Sequence, residues 1–338
     1  MARLQRTKSA SELNQFENSC MVVYRSTGLG VYGAIMRYIG MPLEKIAIIM
    51  NSSQVSSASS DLARLQMSFR LTFQDGALAP FKVVGRASIV AWFMQYSVMG
   101  FVFQVCDTFL SGVFGVPRVA YGTELMLPPT SKPDTASSAA SSIAVLSATK
   151  MVLAPMMSGS IESIVANRAE AQRYFGLDKF AKLEAKVSKN AVQRLCGPAF
   201  MANASRNFIM SSTSFVLTPI TFKNLYPQEK KSKQSLFWFG LGMNIFIGNT
   251  IAITQQALWG RALDYMAVGG GRPINYPAVV REGLKSEGTA AFYTPAKWFT
   301  RVLMNAPVQG TLPWFYNQIL PMFEGPVLRA AQRAQGSS

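Results

Sequence analysis

Tyr276-Pro277-Ala278-Val279-Val280-Arg281-Glu282-Gly283-Leu284-Lys285-Ser286-Glu287-Gly288 is the stretch from which the architecture can be read. Its apolar residues recur at helical spacing with basic residues between them, the pattern of a helix lying on a membrane surface. Glu287-Gly288 ends it at a corner, and Phe292-Tyr293 follows. Beyond the corner, Arg301 leads through Met304 and Pro307 into an apolar run over 302–323 that contains no charge. Another uncharged run, 234–260, precedes the surface helix. Each reaches the roughly 20 apolar residues that a helix needs to cross a bilayer.

The same alternation appears twice upstream. Residues 87–106 form a third uncharged run, while 21–54, 141–166 and 196–222 are apolar but interrupted by charges such as Arg37, Glu44, Lys150, Glu162 and Arg206. Amphipathic stretches at 61–73 and 178–193 lie where 276–285 lies in the last unit. The remaining connections differ: 111–140 is rich in Pro, Ser and Ala, and Tyr-Pro-Gln-Glu-Lys-Lys-Ser-Lys ends at Lys233 as a short basic turn. Both read as loops on the side opposite the surface helices.

Composition agrees with this layout. The 338 residues are 49% hydrophobic and only 15% charged, well below the quarter usual in soluble domains. Lys and Arg number 33 against 17 acids, a two-to-one basic excess in an apolar chain, which favours a membrane protein over a nucleic-acid binder. Histidine is absent, so the commonest general base and metal ligand is missing, and no nucleophile has a base nearby. The chain is therefore not expected to be an enzyme. Cys20, Cys106 and Cys196 lie far apart, which excludes a disulfide scaffold and a four-cysteine zinc site. The basic start is too poor in apolar residues for a secretory signal.

Three units of the same design resemble the mitochondrial carrier family. That family repeats an odd helix with Pro-x-Asp/Glu-x-x-Lys/Arg, a matrix helix closing on Glu-Gly, and an even helix with an Arg-Pro-Tyr pattern. The third unit matches best, from Tyr276 to Tyr316. The first, around Pro42-Leu43-Glu44, is most similar to the ADP/ATP carrier, and the second is the most divergent. Aligning Pro42, Ser160 and Gln256 places the acid-glycine corners near residues 75, 189 and 287, at 33, 29 and 31 residues on. The resemblance implies an all-α membrane protein: six transmembrane helices in a pseudo-threefold barrel with three short matrix surface helices. Its parts would be an extension (1–20), repeat 1 (21–110), a loop (111–140), repeat 2 (141–225), a basic loop (226–233), repeat 3 (234–325) and a tail (326–338).

In the family, ion pairs between consecutive odd helices form a matrix gate. Here the resemblance leaves Glu44, Glu162 and Arg261 as its remnant, because Ala47, Val165 and Leu258 occupy the other positions. Glu162 would face Arg261, either as a gate or as a static pair; Glu44 would need a new partner, with Lys45 and Lys150 as candidates. The opposite gate is essentially uncharged: Asn317 and Leu320 stand at its third-unit positions, and Asp107 is the one acid left. Central contacts would come from Arg206, Asn207, Arg301 and Met304. A single polar contact at Arg206 suits a small monoanion better than a nucleotide, or else it pairs with a carboxylate inside the bundle. Lipid contacts, cardiolipin above all, would fall at Tyr174, Gly176 and Tyr276; no other cofactor and no nucleic acid is expected.

Loss of gate charges with retention of helix-breaking and packing features implies an inner-membrane protein in which transport is lost or reduced. The barrel would serve as an accessory subunit of a larger complex, in the respiratory chain or the ATP synthase. The alternative is a working carrier of a small anionic metabolite or nucleotide. Gly28-Leu29-Gly30-Val31-Tyr32-Gly33 satisfies a dinucleotide fingerprint literally, but no acid follows at the required distance, so it reads as close helix packing.

Overall fold

The structure, a computed structural model, describes residues 13–50, 60–82, 86–115, 137–175, 177–187, 191–225 and 233–336. Among these residues the protein is all-helical, with no strand. Six long rods account for most of it. Rod 1 is α1 (Gln15–Ile39) continued by α2 (Met41–Met50); α3 (Asp61–Phe73) and the single turn α4 (Ala79–Lys82) follow. Rod 2 is α5 (Arg86–Phe114) and rod 3 is α6 (Ser137–Phe175), followed by α7 (Leu177–Val187) and α8 (Ala191–Cys196). Rod 4 joins α9 (Phe200–Ser211), a π segment (Ser212–Leu217) and α10 (Thr218–Leu225). Rod 5 joins α11 (Lys233–Met243), a π segment (Asn244–Gly248) and α12 (Asn249–Val268).

Helix α13 (Tyr276–Glu287) then leads to rod 6. That rod runs from α14 (Pro295–Asn305) through two π segments (Ala306–Gly310, Phe315–Ile319), which flank α15 (Leu312–Trp314), to a 3₁₀ turn (Leu320–Phe323). Helix α16 (Glu324–Gly336) ends the described chain.

Neighbouring rods pack in chain order, and α14 returns to α2, so the ring closes on itself. Two rods are long and apolar enough to cross a membrane by length and composition, at Ile89–Phe114 and Gln234–Val268. Rods 1 and 3 carry charges, and rod 6 is broken into short π and 3₁₀ pieces at Pro307, Pro313 and Pro321. Proline removes a backbone donor and clashes with the preceding turn, which explains why that uncharged run is not one regular helix.

Local chemistry sets the boundaries. Asn14 accepts from the Glu17 amide at 2.8 Å while Glu17 bonds back to the Asn14 amide at 3.0 Å, a capping box that starts α1. Ser60, Asn275 and Thr294 cap α3, α13 and α14 in the same sense. Gly288, at φ 60°, makes the corner after α13 in a conformation that costs glycine nothing. The glycine fingerprint lies wholly inside α1. A methyl group on Gly30 would overlap Ser97 and the Phe93 carbonyl, and one on Gly33 the Tyr96 ring. These glycines therefore let rod 1 approach rod 2, as the packing reading required.

Both described ends of the chain lie at one end of the ring, where Asn14 Nδ2 donates to Gln335 Oε1 at 3.0 Å. That end is filled by a core of Leu29, Tyr32, Tyr96, Phe103, Phe215 and Tyr316 with their neighbours. Tyr32 stacks on Phe315 with centroids 4.0 Å apart, and Phe103 stacks on Phe215 at 4.6 Å. Tyr32 also bonds to Thr311. A second core, built on Phe180, Trp259, Leu263 and Val279, joins α7 and α13 to rods 3 to 5 at the opposite end.

The loop expected at 111–140 is helical at its start, because rod 2 continues to Phe114, and at its end, where rod 3 begins at Ser137; most of it lies outside the described residues. The basic loop, 226–233, lies almost entirely outside them too.

Candidate functional site

Inside the ring is a cavity of about 1030 Å³. It reaches the exposed residues Val268, Arg272 and Glu282 at the surface-helix end, and stops at the aromatic core at the other. Its wall collects charged groups from five of the rods. Rod 1 supplies Arg37 and Glu44, rod 3 Glu162 and Glu170, rod 4 Arg206, rod 5 Gln256 and Arg261, and rod 6 Arg301.

Arg206 and Arg301 meet on one acceptor. The Gln256 side-chain oxygen receives Arg206 Nη1 at 2.7 Å and Arg301 Nη1 at 3.1 Å. Gln256 is therefore the bridge between two cations. Arg206 is also held by Glu170, with Nη1 to Oε2 at 3.1 Å and Nη2 to Oε1 at 3.1 Å. This fork geometry matches a guanidinium to a carboxylate. It realises the intrabundle pairing weighed for Arg206. Asn207 accepts from Arg206 Nε at 3.1 Å and donates to Ser163 and Asn203, each at 3.0 Å. Its role is to hold the guanidinium in place.

Arg301 is differently placed. It is 6% exposed, and no carboxylate pairs with it among the described residues. Its Nε is buried without a hydrogen-bond partner. Burying an unpaired donor on a cation is costly, so Arg301 is the group in this cavity best able to gain from an anion. Met304 lines the same wall one turn on, half-buried and apolar.

The expected contact between Glu162 and Arg261 is not made. Glu162 accepts from Gln95 Nε2 at 3.1 Å, and Arg261 pairs with Glu287 at the end of α13 while its Nε donates to Ala291 O at 3.1 Å. Both side chains line the cavity, and each is taken up by another partner there. Glu287 lies at the surface, where the hydrogen bond from Arg261 holds its carboxyl below the usual value. Glu44 finds Arg37 at 3.1 Å, seven residues back along its own rod, and neither candidate lysine. Arg37, Glu170 and Gln256 line the cavity although the sequence does not single them out as contact residues. Arg37 was visible as a charge inside an apolar run, whereas Glu170 fell beyond the boundary set for rod 3.

Lys150 has its own partner. Its Nζ lies 3.0 Å from Asp107 Oδ1 and donates to Ser111 Oγ at 2.7 Å, joining rods 2 and 3 beside the aromatic core. Of the lipid candidates, Tyr174 donates its hydroxyl to Asp264 at 2.9 Å. The Tyr276 hydroxyl lies against the Met201 and Ala202 backbone, at the start of α9. Burial holds the Tyr276 hydroxyl above its usual pKa. Both hydroxyls are thus engaged by protein. Gly176 lies outside the described residues. No cluster of potential metal ligands occurs among the described residues. Comparison of the chain with protein-family signatures, with curated sequences and with solved structures finds no match in any of the three.

Proposed function

We propose that this chain is a divergent protein of the mitochondrial-carrier type, with all six rods crossing the inner membrane. Each rod turns a large apolar side chain outward, among them Ile35, Phe109, Val152, Leu217, Phe246 and Met322, which suits a ring surrounded by lipid. Arg37, Glu44, Glu162, Glu170, Arg206, Arg261 and Arg301 face the cavity, while Asp107 and Lys150 are paired between rods 2 and 3, both arrangements that suit ions inside a membrane. Cardiolipin and other lipids against the surface helices belong to the same proposal.

In this reading the barrel is held in one state and acts as an accessory subunit of a larger inner-membrane complex. The carrying observation is the end near the chain termini. Exchange transport needs two states of comparable energy, each closed by contacts that the other releases. Here that end is filled by interlocked aromatic rings and a buried Asp107–Lys150 pair between adjacent rods. Opening it would expose apolar surface and an ion pair together. Co-purification with a respiratory complex or the ATP synthase in gentle detergent, persisting through a salt wash, tests this directly. A chain that elutes alone from such membranes would defeat it.

Arg301 favours a second reading, a carrier of a small anion. A guanidinium with a free Nε beside Arg206 on a shared glutamine offers a seat for a carboxylate or phosphate oxygen. Reconstitution into liposomes with labelled anions decides between them. Counter-exchange that disappears in Arg301→Ala and Arg206→Ala would replace the accessory reading with the carrier one.

A further inference from the structure

We infer that α16 is a clasp that fastens rod 6 to rod 1 and holds the termini-side end of the ring shut. Helix α16 leaves the end of rod 6 at Glu324 and folds back along α1. Its first residue is its strongest link. Arg25 of rod 1 reaches Glu324 Oε1 through Nε and Nη2, both at 2.8 Å, and the Glu324 side chain is only 8% exposed.

A second link lies near the other end of the clasp. Glu17 is 1% exposed, and its two oxygens are divided between two tasks. One completes the capping box that starts α1, and the other receives Gln332 Nε2 at 2.8 Å. The side chain that begins rod 1 therefore also grips the last element of the chain. Leu328 and Ala331, between the two links, are buried while Arg329 and Arg333 are exposed, so α16 lies on its apolar side. Just below, the Tyr24 hydroxyl donates to Leu320 O at 2.9 Å, tying the same two rods once more.

The geometry gives these contacts a mechanical sense. Rods 1 and 2 pack through glycine contacts, and rods 2 and 3 share the Asp107–Lys150 pair. Rods 1 and 6 meet where the two described ends of the chain come together, at Asn14 and Gln335. For rod 1 to lean away from rod 6, the Arg25–Glu324 and Glu17–Gln332 contacts must both break. Charge-assisted bonds with a buried member resist such separation more than neutral surface contacts do. The clasp acts on the barrel whether or not it transports, so its test is independent of the transport question.

Cys106 reports on the clasp without adding a probe site. It is 6% exposed and belongs to the aromatic core at the same end. In the full-length chain with Cys20→Ser and Cys196→Ser, reaction with a charged maleimide measures opening of that end. With the clasp intact, Cys106 reacts slowly. Glu324→Gln combined with Gln332→Leu should raise the rate on the order of tenfold or more, since a charge-assisted bond and a buried hydrogen bond no longer oppose opening. Glu324→Arg should likewise label fast, and completing the charge exchange by adding Arg25→Glu to it should restore slow labelling, which separates a released clasp from general damage. Fast labelling in the parent, unchanged labelling in the clasp variants, or no rescue by the exchange would each overturn the inference.

Discussion

Asp107 and Lys150, on adjacent rods, form a 3.0 Å ion pair with 0% and 1% of their side chains exposed. Ser111 adds a third polar group one helical turn from Asp107, and apolar residues of the core lie around them. Two ions so placed pay a large desolvation cost and repay it to each other. Lys150→Met alone should therefore destabilise the protein by about 3–5 kcal/mol, because the carboxylate is left buried without its cation. The double variant Asp107→Leu with Lys150→Met should recover most of that loss. Thermal unfolding of the purified protein in detergent, read as a double-mutant cycle, measures the coupling.

Asn167 is a second buried junction. Its Nδ2 donates to the Cys196 and Pro198 carbonyls, both at 2.8 Å, and its Oδ1 accepts from Trp259 Nε1 at 2.8 Å. One side chain thus ties rod 3 to the turn before rod 4 and to rod 5. Asn167→Ala should cost at least about 1–3 kcal/mol through the indole and carbonyls left unpaired. Loosening around Trp259 would appear as a red shift of its fluorescence, and an unchanged melting point would refute the assignment.

The Arg261–Glu287 contact sits at the cavity mouth and predicts a pH response. The folded carboxyl titrates below its unfolded counterpart of about 4.3. Its stabilisation is therefore complete above that value and fades as pH falls through the lowered folded value. Because the Glu287 side chain is 51% exposed, the effect is small and weakened by salt. The difference in melting temperature between the parent and Glu287→Gln should be constant near neutrality and close in acid. A gap that widens as pH falls would reverse the sign and reject the pairing.

Glycine positions separate close contact from open space. Gly30→Val places a branched side chain against Ser97 and the Phe93 carbonyl and should prevent rods 1 and 2 from packing. Overpacking of this kind costs about 1–3 kcal/mol or more. Gly242→Ala meets nothing within 4 Å and lies in α11, so it should be neutral or stabilise by up to about 1 kcal/mol. Expression yield and melting temperature in detergent distinguish the two outcomes.

The helical class was legible in the uncharged runs and in the amphipathic stretches at 61–73 and 276–285, because hydrophobic periodicity alone carries that information. The glycine fingerprint was legible too, since its missing acid argued against a nucleotide. Pairing was harder to read. Glu44 chose Arg37 over Lys45 or Lys150, and Arg261 chose Glu287 over Glu162. An ion pair depends on a separation of a few ångströms in space, which residue spacing along the chain does not fix. Gln256 shows the same limit: its polarity was visible, whereas its position between two arginines required the ring to be closed.

Rods 1 to 3 contain no π segment among their described residues, while rods 4, 5 and 6 each contain at least one. A π turn accommodates about one residue more than an α turn. Since successive α-helical residues are rotated by about 100°, the extra residue re-aims every side chain downstream by about that angle. Counting from Arg206 to residues 218–222, or from Arg301 to Asn317 and Leu320, crosses such segments. Positions that linear spacing assigns to the inner wall then point along another radius of the ring. In the second half of this chain, distance along the sequence and direction in the ring have come uncoupled, and residue offsets keep a fixed compass only on the near side of each wide turn.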